Sequence, residues 1–178
     1  MPELPEVEIV KCGLSKLIIN KKIKSVSFDW QKSFPNSKSD INQFLIDANI
    51  TGIRRRAKVI IIDLNTNYSL VTHLKMTGQL VYRSDDDQTR FGAGHPSSSL
   101  VGDLPDKSTR VTLDFGDSKL FFNDQRKFGW MRLYPQSKFL ISISLKKLGQ
   151  NLLMIVFLAM NLRQDLYEKG TQILKQLC

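Results

Sequence analysis

Arg110-Val111-Thr112-Leu113-Asp114-Phe115-Gly116-Asp117-Ser118-Lys119-Leu120-Phe121-Phe122 carries the most legible folding signal in the chain. Val111, Leu113 and Phe115 fall on one face of an extended strand, and Arg110, Thr112 and Asp114 fall on the other. That two-residue period is the pattern of a half-buried strand. Gly116-Asp117 then supplies a turn, and Leu120–Phe122 returns, so the stretch predicts an antiparallel hairpin. Working outward, Ile23–Phe28, Val59–Leu64, Ser69–Leu74 and Leu80–Tyr82 read as further strands, rich in apolar and β-branched residues. Asp40–Asp47 reads as a short helix between early strands.

Helical periodicity governs the two ends. Val7, Val10, Leu14 and Leu17 recur at helical spacing after Pro5, a residue suited to a first helical turn because its missing N–H needs no partner there. The nearby glutamates complement the positive end of the helix dipole. Beyond Pro135 strand signals fade and Leu145–Leu177 reads as helical, which sets a boundary between 1–135 and 136–178. Between these parts, Ser84–Ser108 is long, polar and rich in Gly, Pro, Ser and Asp. It reads as a functional or disordered loop. Its Phe91-Gly92-Ala93-Gly94-His95-Pro96 run fits a flexible surface loop better than a phosphate cradle. The order of elements gives the fold class α+β.

Charge narrows the partners. Lys and Arg number 26 against 17 Asp and Glu, a net charge of +9 on 178 residues. Such an excess favours a polyanion, nucleic acid before anionic membrane. Cys12 and Cys178 lie at opposite ends and, with only His73 and His95, form no metal-ligand spacing. A reducing cytoplasm is the plain reading, with no signal peptide, and the apolar run Leu152–Met160 is too short to span a bilayer.

The amino terminus carries distinctive chemistry. Removal of Met1 would leave Pro2 with a free secondary amine, and an α-amino group has a pKa of about 7.7–8, against about 10.4 for lysine. An unprotonated amine can attack an aldehyde carbon and form an iminium ion, which draws electrons from the adjacent carbon and permits elimination. Glu3 is the neighbouring carboxyl, suited to moving a proton. From chemistry alone, the plainer reading of Pro2 and Glu3 is the start of a helix.

Four collinear motifs change that balance. Met1-Pro2-Glu3-Leu4-Pro5-Glu6-Val7-Glu8, Arg54-Arg55-Arg56-Ala57-Lys58, His73-Leu74-Lys75-Met76-Thr77-Gly78 and Asn123-Asp124-Gln125-Arg126-Lys127-Phe128-Gly129-Trp130 together resemble the bacterial formamidopyrimidine-DNA glycosylase family over roughly residues 1–135. The resemblance implies an amino-terminal helix packed with a mostly antiparallel two-sheet β-sandwich, followed by a short helical remnant. It implies Pro2 as the nucleophile at C1′ of a damaged nucleotide, Glu3 as acid/base partner and Lys58 as proton donor for β-elimination. Met76, Arg126 and Phe128 map onto the trio that fills the hole left by an extruded base. Arg55 and Arg56 map onto phosphate contacts, and Arg110 and Lys169 lie near family DNA contacts. Without the resemblance, Met76 and Phe128 read as core and Arg126 as surface charge. His73 is assigned packing or hydrogen bonding near Met76, not catalysis.

The family continues into a helix–two-turn–helix domain and a four-cysteine zinc finger. Here Leu148-Gly149 and Lys169-Gly170-Thr171-Gln172 resemble the early helical domain, whereas Asn151–Met160 is more apolar than the family pattern. The expectation is a truncated, frameshifted or diverged product: a partial helical segment at 136–178, no zinc finger, no zinc or other cofactor, and no late arginine for δ-elimination. The implied function is excision of oxidised purines from double-stranded DNA, with nicking of the abasic site, by a monomer in the bacterial cytosol. Two rivals are a DNA-binding fragment with weak catalysis and an amino-terminal-proline enzyme acting on small carbonyl compounds.

Overall fold

A computed structural model describes residues 3–86 and 88–137. The chain divides into two compact units, Met1–Gln136 and Ser137–Cys178, and the amino-terminal helix and both sheets lie within the first. Pro2, Lys169 and the expected helical segment beyond Ser137 lie outside the described residues.

Helix α1 (Leu4–Leu17) begins where the sequence places it, with Pro5 in its first turn and Glu3 at its N-cap. The Glu3 backbone N–H donates to Glu6 Oε2 at 2.9 Å, the reach-back of a capping box. Val7, Val10 and Leu14 form its buried stripe, and Ile18 follows them into the core. Each such burial contributes about 1.5–3 kcal/mol relative to an exposed side chain. The expected helix at Asp40–Asp47 begins slightly earlier, as α2 (Lys38–Asp40), continuing into a π-helical turn at Ile41–Leu45.

Nine strands among the described residues make two antiparallel sheets. Five of them, β1 (Ser25–Phe28), β7 (Thr109–Asp114), β8 (Ser118–Asp124), β5 (Gly78–Ser84) and β6 (Arg90–Gly94), pair in that order. The other sheet runs β2 (Ile50–Arg56), β3 (Val59–Leu64), β4 (Tyr68–His73) and β9 (Trp130–Pro135). One apolar core takes residues from α1 and both sheets, including Ile60, Ile62 and Leu70 from one and Leu80, Leu113 and Phe122 from the other. The alternation that predicted the hairpin is thus realised as an inward face on β7 and β8.

Two sequence expectations change. Ser84–Ser108 is not a structureless loop, since it holds β6 and a 3-10 turn at Ser98–Leu100. Gly92 and Gly94 belong to strand packing: Gly94 sits at φ +125°, where a Cβ would come within 2.5 Å of the Gly78 carbonyl oxygen. Asp106 closes the segment by accepting from Ser99, Ser108 and Thr109.

Arg110 is the second correction. It sits at the register shift between Thr109 and Val111 and is 5% exposed, with its guanidinium turned to protein partners rather than to the open surface. Its Nε donates to the Asp124 carbonyl at 2.9 Å, one terminal nitrogen to Asp29 at 2.5 Å, and the other to the Lys107 carbonyl at 2.8 Å. The bulge frees the guanidinium to bolt three segments together. Arg110→Ala should therefore lower unfolding stability by about 2–4 kcal/mol, because buried acceptors lose their donors. An unchanged urea midpoint would contradict the internal role.

Candidate functional site

Strand register decides which connections share an end of the molecule. Val59 lies opposite His73, and His73 opposite Trp130, so the β2–β3 turn at 57–58 and both neighbouring connections meet at one rim. Gly78 lies opposite Asp124 in the other sheet. The 74–77 and 125–129 connections therefore both cross between the sheets at this rim, side by side.

Backbone conformation singles out the same three connections. Six non-glycine residues among those described have positive φ. Asn20, Asp47 and Asn67 are of the types that tolerate it. The other three are Ala57 (φ 48°), Lys75 (φ 55°) and Lys127 (φ 59°), one in each rim connection. Each costs of order 1–2 kcal/mol, and strain of that kind collects where a loop must hold a particular shape.

The side chains on these loops match that inference. Met76 is 40% and Phe128 54% exposed, unusual for large apolar groups with no visible cover. Arg126 is exposed, with its guanidinium carbon 5.2 Å from the Phe128 ring centroid. Lys127 holds its Nζ 4.7 Å from the centroid of Trp30, itself exposed. The segment bearing Trp30 is fixed to β9, as Met131 N–H donates to the Ser33 carbonyl and Leu133 N–H to Asn36 Oδ1, both at 2.8 Å.

Below the surface one carboxylate meets both crossing connections. Asp124 is fully buried. Its Oδ1 accepts from the Thr77 hydroxyl and the Arg126 N–H, and its Oδ2 from the Gly129 N–H at 2.6 Å. Sequence reading missed Thr77, Asp124 and Trp30, because aspartate is ordinarily exposed and no periodicity flags a single buried one.

Two of the catalytic candidates, Glu3 and Lys58, lie on elements that Arg55 joins. Arg55 Nε donates to Glu8 of α1 at 2.5 Å, while its Nη1 donates to the Ala57 carbonyl at 2.9 Å. This pins the turn carrying Lys58 against the first half of α1. The Arg55 hydrogen bond, with Lys11 behind it, holds the Glu8 carboxyl at about 2 against an ordinary 4.5. Glu3 is five residues before Glu8, about 7.5 Å along the axis. Arg55 thus faces inward to Glu8, and Arg56 is half-buried on the same strand. Lys58 is half-buried at the turn itself.

His73 hydrogen-bonds as the sequence suggested, its Nδ1 accepting the Lys75 N–H at 3.0 Å. Burial, then the charges of Lys75 and Lys58, press its pKa from 6.5 down to about 4. It is a neutral acceptor at physiological pH and holds the start of the Met76 loop. Among the described residues no group of three or more His, Cys, Asp or Glu could hold a metal ion, and Cys12 is exposed and free. The described residues do not fit a zinc site. No helix among them is long and apolar enough to cross a membrane.

Residues 1–131 match the family model of the formamidopyrimidine-DNA glycosylase N-terminal domain. The chain belongs to the formamidopyrimidine-DNA glycosylase family. A relative of that name from Ligilactobacillus salivarius (strain UCC118) is 35% identical over 150 residues, covering 84% of this chain and 49% of the relative. One from Shouchella clausii (strain KSM-K16) is 34% identical over 178 residues, covering 98% of this chain and 58% of the relative. Among solved structures, the Lactococcus lactis Fpg bound to DNA containing N7-benzyl-Fapy-dG matches with a TM-score of 0.66 at 28% identity, over 83% of this chain and 49% of that one. A complex of the same enzyme with abasic-site DNA matches at a TM-score of 0.65. The chain spans about half the length of the curated relatives it matches.

The residues matched to the family's amino-terminal domain include the helix and the rim connections described above. The rim electrostatics can be checked directly by NMR titration of the His73 imidazole. Lys58→Met should move its pKa up from about 4 toward 6.5 by removing one positive neighbour. An imidazole that titrates identically in the variant would place Lys58 away from the rim.

Proposed function

We propose that this chain is a base excision repair enzyme of the bacterial cytosol. It releases oxidised purines from double-stranded DNA and nicks the resulting abasic site. The observation that carries the reading is the rim, where exposed Met76, Arg126 and Phe128 stand together on two adjacent, internally anchored connections.

The physical demand on such a rim is clear. Flipping a nucleotide from a duplex costs a few kcal/mol of stacking and pairing. Wedge side chains offset part of that by occupying the vacated space. Phe128 supplies a flat ring for insertion, Met76 an adaptable filler, and Arg126 donors for the base left without its partner. Lys58, Lys75 and Lys127 around the same rim favour the approach of phosphates. Arg55 is committed to Glu8, so it contributes by fixing the Lys58 turn.

The chemistry assigned to the amino terminus follows from the resemblance. The Pro2 amine attacks C1′ and the bond to the damaged base breaks, leaving the sugar joined to nitrogen. Opening of the sugar gives an iminium ion. Its electron demand lets a proton leave C2′ while the C3′–O bond breaks, expelling the phosphate of the downstream strand. Glu3, at the N-cap beside Pro2, is assigned proton movement at the sugar, and Lys58 proton donation. Water then releases Pro2. Lys169, Arg56 and a monomeric state complete the proposal for DNA binding. The similarity to DNA-bound family structures supports it; Arg110, buried among internal partners, is left out of the proposal.

Borohydride reduction tests the reading, because it converts a transient iminium to a stable amine. An oligonucleotide duplex with 8-oxoguanine or an abasic site should be trapped covalently by the full chain, and Pro2→Gly should abolish the adduct. Binding without an adduct would identify a DNA-binding fragment instead. Absence of both would remove the repair assignment.

A further inference from the structure

We propose that Thr77 and Asp124 are positioning residues that lock the two wedge-bearing connections into one unit before DNA arrives. The assignment of Met76, Arg126 and Phe128 to base extrusion rests on the proposed glycosylase function; the lock itself does not.

The wedge side chains have little packing of their own. With Met76 40% and Phe128 54% exposed, their placement has to come from the backbone beneath them. Two hydrogen bonds join the connections there, and both end on the Thr77 hydroxyl. It donates to Asp124 Oδ1, and it accepts the Arg126 N–H at 3.2 Å. The same Arg126 N–H also reaches Asp124 Oδ1 at 3.2 Å, closing a three-membered network. Asp124 Oδ2 then takes the Gly129 N–H, so the carboxylate grips the 125–129 connection at both ends. Gly129 is itself packed too closely for a side chain, since a Cβ would meet Phe122 at 2.6 Å and the His73 carbonyl at 3.1 Å.

Thr77 therefore acts as both donor and acceptor, while its neighbour Met76 carries the wedge. A hydroxyl in that place transmits any movement of one connection to the other. Fixing the trio beforehand spares the ordering cost that would otherwise fall on the flipping step.

Thr77→Val keeps the shape but removes both hydrogen bonds, and Thr77→Ser keeps the hydroxyl. Amide hydrogen exchange on the full chain without DNA reads the lock directly. Thr77→Val should speed exchange at Arg126 and Gly129 about tenfold, the scale of one lost hydrogen bond, and Thr77→Ser should stay near wild type. Wild-type exchange at both amides in Thr77→Val would overturn the lock. Asp124→Asn, which weakens the acceptor without emptying the space, should loosen the same two amides, so the test survives if the valine variant folds poorly. The functional arm compares borohydride trapping on a lesion-bearing duplex with trapping on a single-stranded abasic oligonucleotide. Their ratio should fall about tenfold in Thr77→Val and recover in Thr77→Ser. Faster exchange with an unchanged ratio would overturn the positioning role. Absence of any wild-type adduct would count against the glycosylase reading, and the exchange arm would still decide the lock.

Discussion

A carboxylate removed from water has to be matched by donors, and Asp124 is wholly buried where two inter-sheet crossings meet. Its donors come from Thr77 on one crossing and from the Arg126 and Gly129 amides on the other. Meeting that requirement fixes the path of both connections. The same residue anchors a third segment through its backbone, since its carbonyl accepts from Arg110, which also holds Asp29. The exposed rim is the outer consequence of this inner constraint.

Strand register does the complementary work from the other sheet. Pairing of Val59 with His73 brings the Lys58 turn level with the start of the Met76 connection. The low pKa of His73 records that approach, because Lys75 and Lys58 both disfavour its protonation on top of burial. Glu8 and Arg55 then tie the turn to α1, whose first residues follow the amino terminus. Helix, hairpin and both crossings are thereby brought to a common site, although they are far apart in sequence.

Much of this was legible in advance, and the exceptions have physical causes. Val59–Leu64 is a strand at the predicted bounds, and the β7–β8 hairpin follows the alternation at Val111, Leu113 and Phe115. In β6 the signal failed because Gly92 and Gly94 serve close backbone approach, which in sequence looks like flexibility. Strand β9 failed because Trp130-Met131-Arg132-Leu133 interrupts its apolar residues with an arginine, and only pairing to β4 reveals the strand. Arg55 and Arg56 map by motif onto phosphate contacts, yet they end a strand in which Arg54 pairs with Asp63 and Arg55 with Glu8. At the site, motifs located the exposed groups, but a motif cannot separate a surface arginine from a buried one. Arg110 was misplaced for that reason, and Thr77 and Asp124 passed unnoticed beneath the residues they support.

In the proposed reaction the rim inserts into a duplex in place of an extruded base. Stopped-flow fluorescence of a 2-aminopurine placed beside an abasic-site analogue tests it most directly, since the probe brightens when its stacking is lost. Mixing with the full chain should give a fast rise, and the double variant Met76→Ala/Phe128→Ala should bind with that rise largely removed. A rise of equal rate and size in the double variant would show that base extrusion does not depend on this rim.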